Sequence, residues 1–123
     1  QQLDVQAIVS EIRSRGIDAS TTADVADMVE HVASGARSND LVLVMSVEPG
    51  FGGQSFMDDQ VSKIDELSRL RKAQGLSFLI EVDGGITDKT SVKVSNADVL
   101  VAGSYVFKND YKQAITSLKK SRK

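Results

Sequence analysis

The chain has 123 residues, with 15 Lys and Arg against 17 Asp and Glu for a formal net charge of −2, and no cysteine. That length suffices for one domain with a real core, the charge balance excludes an electrostatic case for nucleic acid or an anionic membrane, and the lack of cysteine excludes a disulfide framework or a thiolate metal site. No apolar run approaches the ~20 residues that span a bilayer, and no signal-peptide pattern opens the chain, so a soluble cytoplasmic protein is expected.

The chain opens on Gln1 rather than Met, which reads as a processed product or a piece of a longer one. Residues 3–15 read as a helix, because Val5, Ile8, Val9 and Ile12 recur at helical spacing after Leu3, and Gly16 stands as a C-terminal stop. Residues 17–20 allow a short strand that Asp18 interrupts. Thr21-Thr22 with Asp24 resembles a helix start, and Val25, Met28, Val29 and Val32 continue it on one apolar face to about Ala33. A polar turn, residues 34–39, leads to a strand over 41–46. Residues 57–74 form the clearest helix: Met57, Val61, Ile64, Leu67 and Leu70 repeat every three or four positions, Asp59–Lys63 and Asp65–Arg69 are candidate i,i+4 pairs, and Gly75 ends it. A strand over 77–82 leads into Asp83, Thr87 can cap a short helix to about Ser95, and 99–101 form the last strand. Tyr111, Ala114, Ile115 and Leu118 mark a final helix. Lys119, Lys120, Arg122 and Lys123 lie at its end, where cations suit the helix dipole rather than forming a nucleic-acid tail. Alternating helices and strands imply a parallel sheet with helices packed on it, in a single domain spanning 1–123.

One stretch organises the rest. Leu41-Val42-Leu43-Val44 is short, apolar and uninterrupted, which is how a parallel strand buried on both faces reads. Pro49 with Gly50, Gly52 and Gly53 then breaks regular structure, and the glycines let backbone approach a ligand at positive φ. Strand, glycine-rich loop and helix make a βα unit whose loop lies at the carboxyl end of the strand, where α/β enzymes place their chemistry. Asp83 ends a later strand and precedes two glycines in the same way.

Val44-Met45-Ser46-Val47-Glu48-Pro49-Gly50-Phe51-Gly52-Gly53-Gln54 resembles the signature of ribulose-phosphate 3-epimerases. Glu81-Val82-Asp83-Gly84-Gly85-Ile86 and Val101-Ala102-Gly103-Ser104 match the same family in the same order, so that the resemblance runs from about Asp40 to Phe107. It implies a (β/α)8 barrel that interconverts ribulose 5-phosphate and xylulose 5-phosphate, a step of the pentose phosphate pathway, by inverting C3. A complete barrel needs at least ~200 residues. The expected fold is therefore α/β, parallel βα repeats forming the C-terminal half of a TIM barrel.

The resemblance also implies roles. Family members hold an aspartate on each side of the substrate carbon, and a divalent metal (zinc, iron or manganese) bound by both aspartates and two histidines stabilises an enediolate. Asp83 matches the second aspartate, a catalytic acid and base and a metal ligand. Gly84-Gly85 and Gly103-Ser104 look like the phosphate site, since barrel enzymes often bind phosphate at the loops after the seventh and eighth strands. Gly50-Phe51-Gly52-Gly53 resembles the mobile loop that closes over the phosphosugar, and Met45 a methionine that walls the site. The family's first aspartate, both metal-binding histidines and a substrate-binding serine belong to the half with no counterpart here. His31, the only histidine, lies on an outer helix and matches no family ligand.

These features are compatible with three readings. The chain is part of an epimerase whose other half is missing, encoded elsewhere or supplied by another chain, so that it is inactive alone; or it is a non-catalytic half-barrel serving as a structural or interaction subunit; or it is a phosphosugar-binding module. In each, an open barrel interior calls for a homo-oligomer or a second chain to complete it. No nucleic acid or membrane is expected.

Overall fold

The computed structural model describes residues 4–22, 24–48, 50 and 53–121. Leu3, Pro49, Phe51, Gly52, Arg122 and Lys123, which figure in the sequence reading, lie outside the described residues. The elements are α1 (Val5–Ser14), α2 (Val25–Gly35), β1 (Leu41–Met45), α3 (Val61–Ala73), β2 (Leu79–Asp83), β3 (Val99–Val101), α4 (Gly103–Phe107) and α5 (Tyr111–Lys120). Short 3-10 helices, Asp58–Gln60 and Ser91–Val94, precede α3 and β3.

The three strands form one parallel sheet in the order β1-β2-β3. With helices between consecutive parallel strands, this is a partial TIM-barrel fold. The register sets Leu41 beside Leu79, then Leu43, Glu81 and Val99 in one row across the sheet, and Met45, Asp83 and Val101 in the next. Side chains alternate across a strand, so these residues share one face. The other face carries Val44, Ile80 and Val82, which pack with Ile64 and Leu67 of α3, Leu118 of α5 and partly buried residues of α2 into the core. The first face has no such cover: Leu41, Leu43 and Leu79 are 52, 51 and 42% exposed. The strand 41–44 is thus buried on one face and open on the other.

At the amino ends of the strands, Asp98 and Arg71 tie the layers together. Asp98 Oδ2 accepts from the Ile80 amide (2.8 Å) and from Arg71 Nη1 (2.6 Å), while that same nitrogen donates to the Phe78 carbonyl (2.9 Å). The Arg71 guanidinium also lies 5.7 Å from the centre of the buried Phe78 ring.

Several helix signals behave as their chemistry requires. The Asp24 carboxylate accepts from the Asp27 amide at the start of α2, and Asp110 caps α5 at the Gln113 amide. Thr87 Oγ1 accepts from the Lys89 and Thr90 amides. The segment that Thr87 opens is a turn and a 3-10 helix, because only four residues separate Thr90 from the turn at Ser95 and Asn96.

Other expectations are corrected. Residues 17–20 form no strand. The Ala19 carbonyl is taken by Arg13 Nε at 2.6 Å, which folds the segment back on α1 instead of along β1. Of the apolar face on α1 only Val9 is buried, and Val5 and Ile8 remain exposed. On α3, Arg69 pairs with Glu66 rather than Asp65; that hydrogen bond and charge hold the Glu66 carboxyl below its ordinary range. Asp65 instead accepts from Asn96 Nδ2. Asp59 and Lys63 form no ion pair among the described residues. Asp58, just before α3, also reaches across the fold and is bonded to Lys93 Nζ at 2.6 Å.

The asymmetry of the sheet is testable. Ile80→Ala removes a fully buried side chain from the core and is expected to cost ~2–5 kcal/mol. Leu43→Ala, on the open face, is expected to cost under ~1 kcal/mol. Urea denaturation of both variants measures the difference, and equal losses would mean that the open face is covered in solution.

Candidate active site

Three chain segments leave the sheet at the same end. After β1 the chain runs through Ser46 and Val47; after β2 it turns at Gly84 and Gly85; after β3 it enters α4 at Gly103. Met45, Asp83 and Val101, the last residues of their strands, stand side by side in register. Above them opens a cavity of about 870 Å³ lined by Met45, Gly50, Gly53, Asp83, Gly84, Gly85, Gly103 and Ser104 among others. Every described residue singled out in the sequence for this site therefore meets in one place. Phe51 and Gly52 lie outside the described residues.

Asp83 is half-buried at the cavity floor, and its carboxylate has no hydrogen-bond partner among the described residues. Its backbone is held tightly: the Asp83 carbonyl accepts from the Ser46 amide at 2.8 Å. The amides of Gly84, Gly85, Gly103 and Ser104 likewise donate to nothing among the described residues, and the Ser104 hydroxyl has no partner among them. An unpaired carboxylate beside four open amides and a hydroxyl can hold a proton at one end of a small molecule and an anion at the other.

Gly84 and Gly85 have a reason beyond ligand approach. Gly84 has φ +124°, and a Cβ there would lie 2.8 Å from the Val47 backbone nitrogen. Gly85 has φ +64°, and a Cβ there would lie 2.7 Å from the Phe56 backbone nitrogen. The two stems of the loop after β1 therefore rest directly on the turn after β2. The Met57 amide closes that loop by donating to the Ser46 carbonyl at 2.7 Å.

Sequence reasoning missed several lining residues. Thr87, Thr90, Lys93 and Lys108 border the cavity. Lys93 bonds Asp58 and lies 5.8 Å from the centre of the Phe56 ring. Lys93 and Lys108 sit in segments of mixed polarity where nothing local marks a lysine as cavity-facing. Ser46 carried a weak signal, being a hydroxyl that continues an apolar strand; it is fully buried.

A sequence model of the ribulose-phosphate 3 epimerase family matches residues 2–107. The chain belongs to the ribulose-phosphate 3-epimerase family. It is 42% identical over 118 residues to the chloroplastic ribulose-5-phosphate-3-epimerase of Arabidopsis thaliana, covering 94% of this chain and 42% of that protein. It is 39% identical over 118 residues to the ribulose-phosphate 3-epimerase of Helicobacter pylori strain J99, covering 94 and 54%. Against the Bacillus subtilis ribulose-phosphate 3-epimerase it is 38% identical over 115 residues, covering 90 and 53%. The chain thus spans about half the length of the curated relatives it matches.

The metal implied by the resemblance does not fit these residues. Among the described residues no three His, Cys, Asp or Glu side chains gather where they could hold an ion. His31 is exposed on α2, remote in the chain from every cavity residue. Asp83 by itself offers one carboxylate, and a divalent site needs several protein ligands. Nor is any helix of the described residues long and apolar enough to cross a membrane.

The close approach at the turn predicts a graded response. Gly84→Ala combines positive-φ strain of ~1–2 kcal/mol with overlap costing ~1–3 kcal/mol. Gly103→Ala meets only the tip of the Phe107 ring at 4.0 Å and should stay within ~0.5 kcal/mol. Thermal or urea denaturation of the two variants checks this ordering.

Proposed function

We propose that this chain supplies one face of a ribulose-phosphate 3-epimerase site, interconverting ribulose 5-phosphate and xylulose 5-phosphate when the barrel is complete. The observation that carries the reading is the meeting of Asp83 with the Gly84-Gly85 turn and Gly103-Ser104 in one cavity at the carboxyl ends of three parallel strands. On this reading the substrate phosphate lies against the open amides of Gly84, Gly85, Gly103 and Ser104, with the Lys108 cation at the rim. Asp83 then exchanges a proton with C3 on one side. That proton is acidified by the neighbouring ketone, so a carboxylate is a strong enough base when held in place. Met45, next to Asp83 in the sheet, walls the carbon chain. The loop through Gly50 and Gly53 covers it, and Gly53 already lies close to the Ser104 hydroxyl.

Inversion needs a second acid on the opposite side. The other carboxylates lining the cavity are Glu48 and Asp58. Asp58 is bonded to Lys93, and Glu48 is exposed on the loop. With Asp58 engaged and Glu48 facing solvent, the second acid and any metal ligands on this reading lie outside the described residues, in the rest of a longer chain, a further copy or a second chain that completes the barrel as one domain. The open face of Leu41, Leu43 and Leu79 is where such a partner would lie. The reading takes a cytoplasmic setting, although one relative is named chloroplastic. A second reading, a non-catalytic half-barrel serving as an interaction subunit, is supported by the same observation that the described residues lining the cavity offer no free carboxylate besides Asp83 and the exposed Glu48.

The purified chain is expected to form no xylulose 5-phosphate from ribulose 5-phosphate, with or without zinc, iron or manganese. Adding a polypeptide that carries the first half of a family barrel should restore turnover, and Asp83→Asn should then lower it by ~10²-fold or more. Turnover by the wild-type chain alone, lost in Asp83→Asn, would overturn the need for a partner. Failure of every complementing half would favour the non-catalytic reading.

A further inference from the structure

Among the described residues no side chain bonds the Asp83 carboxylate, so its direction is set by the backbone on either side. That backbone is fastened by two hydroxyls. Ser46 Oγ lies 2.6 Å from the Gly84 carbonyl oxygen and 3.1 Å from that of Asp83. A hydroxyl has one proton, and the Asp83 carbonyl is already satisfied by the Ser46 amide at 2.8 Å. The Ser46 proton therefore goes to Gly84. The next carbonyl, that of Gly85, accepts from Thr90 Oγ1 at 2.8 Å. Three successive carbonyls of the turn are thus bound on the protein side, while the amides of Gly84 and Gly85 stay unpaired among the described residues.

We propose that Ser46 and Thr90 are positioning residues of the site, whose hydroxyls fix the Asp83–Gly84–Gly85 turn and thereby aim the Asp83 carboxylate and present the two glycine amides. The inference deepens the reading above and rests on it for the identity of the anion. The burial of Ser46 explains why a polar residue is retained there: Gly84 is buried and its carbonyl would otherwise lack a donor, a loss that costs ~1–3 kcal/mol. Position adds a second consequence. The Ser46 carbonyl also receives the Met57 amide, and Val47 and Phe56 press on Gly84 and Gly85. One residue therefore joins both stems of the covering loop to the turn that carries the acid.

The test uses the 123-residue chain and its variants Ser46→Ala, Ser46→Thr, Thr90→Val and Thr90→Ser, labelled for amide NMR. Couplings between the amide and α protons of Gly84 and Gly85 report the turn directly. Inorganic phosphate, titrated in, reports the amides as a binding site. Ser46→Ala should average the Gly84 couplings and raise the apparent phosphate Kd by about tenfold, the worth of about one hydrogen bond. Ser46→Thr should stay within about twofold of wild type, while core amides such as Ile64 and Val94 hold their shifts throughout. Thr90→Val should do the same at Gly85, with Thr90→Ser restoring it, and this pair decides the matter if Ser46→Ala does not fold. Unchanged couplings in both hydroxyl-free variants overturn the proposal, whatever phosphate does. A wild-type chain whose Gly84 and Gly85 amides ignore phosphate overturns the phosphate assignment instead, and the couplings still decide the positioning role.

Discussion

Parallel pairing in unbroken register is the constraint on which this molecule depends. Because β1, β2 and β3 run the same way and end on one row, Met45, Asp83 and Val101 are neighbours although 56 positions of sequence separate the first from the last. The same register carries the three following segments to a common end. No long-range side-chain pairing is needed to assemble the cavity, since the backbone ladder does it. The Arg71–Asp98 clasp at the opposite end holds the helix layer against the strands, away from the chemistry. Stability and site are thereby assigned to opposite ends of the same sheet, as the barrel fold allows.

At the site end, backbone packs on backbone. Gly84 meets Val47 and Gly85 meets Phe56 at distances that leave no room for a Cβ. A phosphate-binding role alone would ask only for exposed amides, and Gly103, where an added Cβ would meet only the Phe107 ring at 4.0 Å, is under no comparable packing constraint. Gly84 and Gly85 thus answer a requirement toward the loop that a ligand role alone would not set. The stems of the loop after β1 and the turn after β2 are therefore packed as one unit and separate only at a cost.

Much of this was legible in the sequence. Strands 41–45 and 99–101 announced themselves by short apolar runs, Asp24 by its position before a periodic helix, and the site by three glycine-bearing strand ends. What escaped notice shares a physical character. Residues 17–20 offered a short strand that Asp18 already interrupts, and strand formation depends on a pairing edge and not on the segment itself. Their one described fastening is instead to Arg13. The expected Asp65–Arg69 pair gave way to Glu66–Arg69, a choice between two acids on the same helix that spacing does not encode. Ser46 and Thr90 are short hydroxyl residues in ordinary surroundings, and only the carbonyls they reach reveal them. The open sheet face was foreseen from chain length, whereas local pattern had suggested strands buried on both sides.

That open face also constrains what could cover it. Its rows are Leu41 with Leu79, then Leu43, Glu81 and Val99, then Met45, Asp83 and Val101. The first row is wholly apolar, and an apolar surface would bury it at a gain of roughly 25 cal/mol per Å². The second holds a half-buried carboxylate between two apolar neighbours, and Glu81 has no hydrogen-bond partner among the described residues. Closing the face with apolar side chains alone would strand that charge, at a penalty of several kcal/mol. A cover that fits must therefore be apolar over Leu41 and Leu79 and bring a cation or strong donor over Glu81. At the third row it would stand across the cavity from Asp83, where the inversion proposed above requires its second acid. The demands of burial and of chemistry fall on the same missing surface, graded from apolar at the sheet's amino end to polar at its carboxyl end.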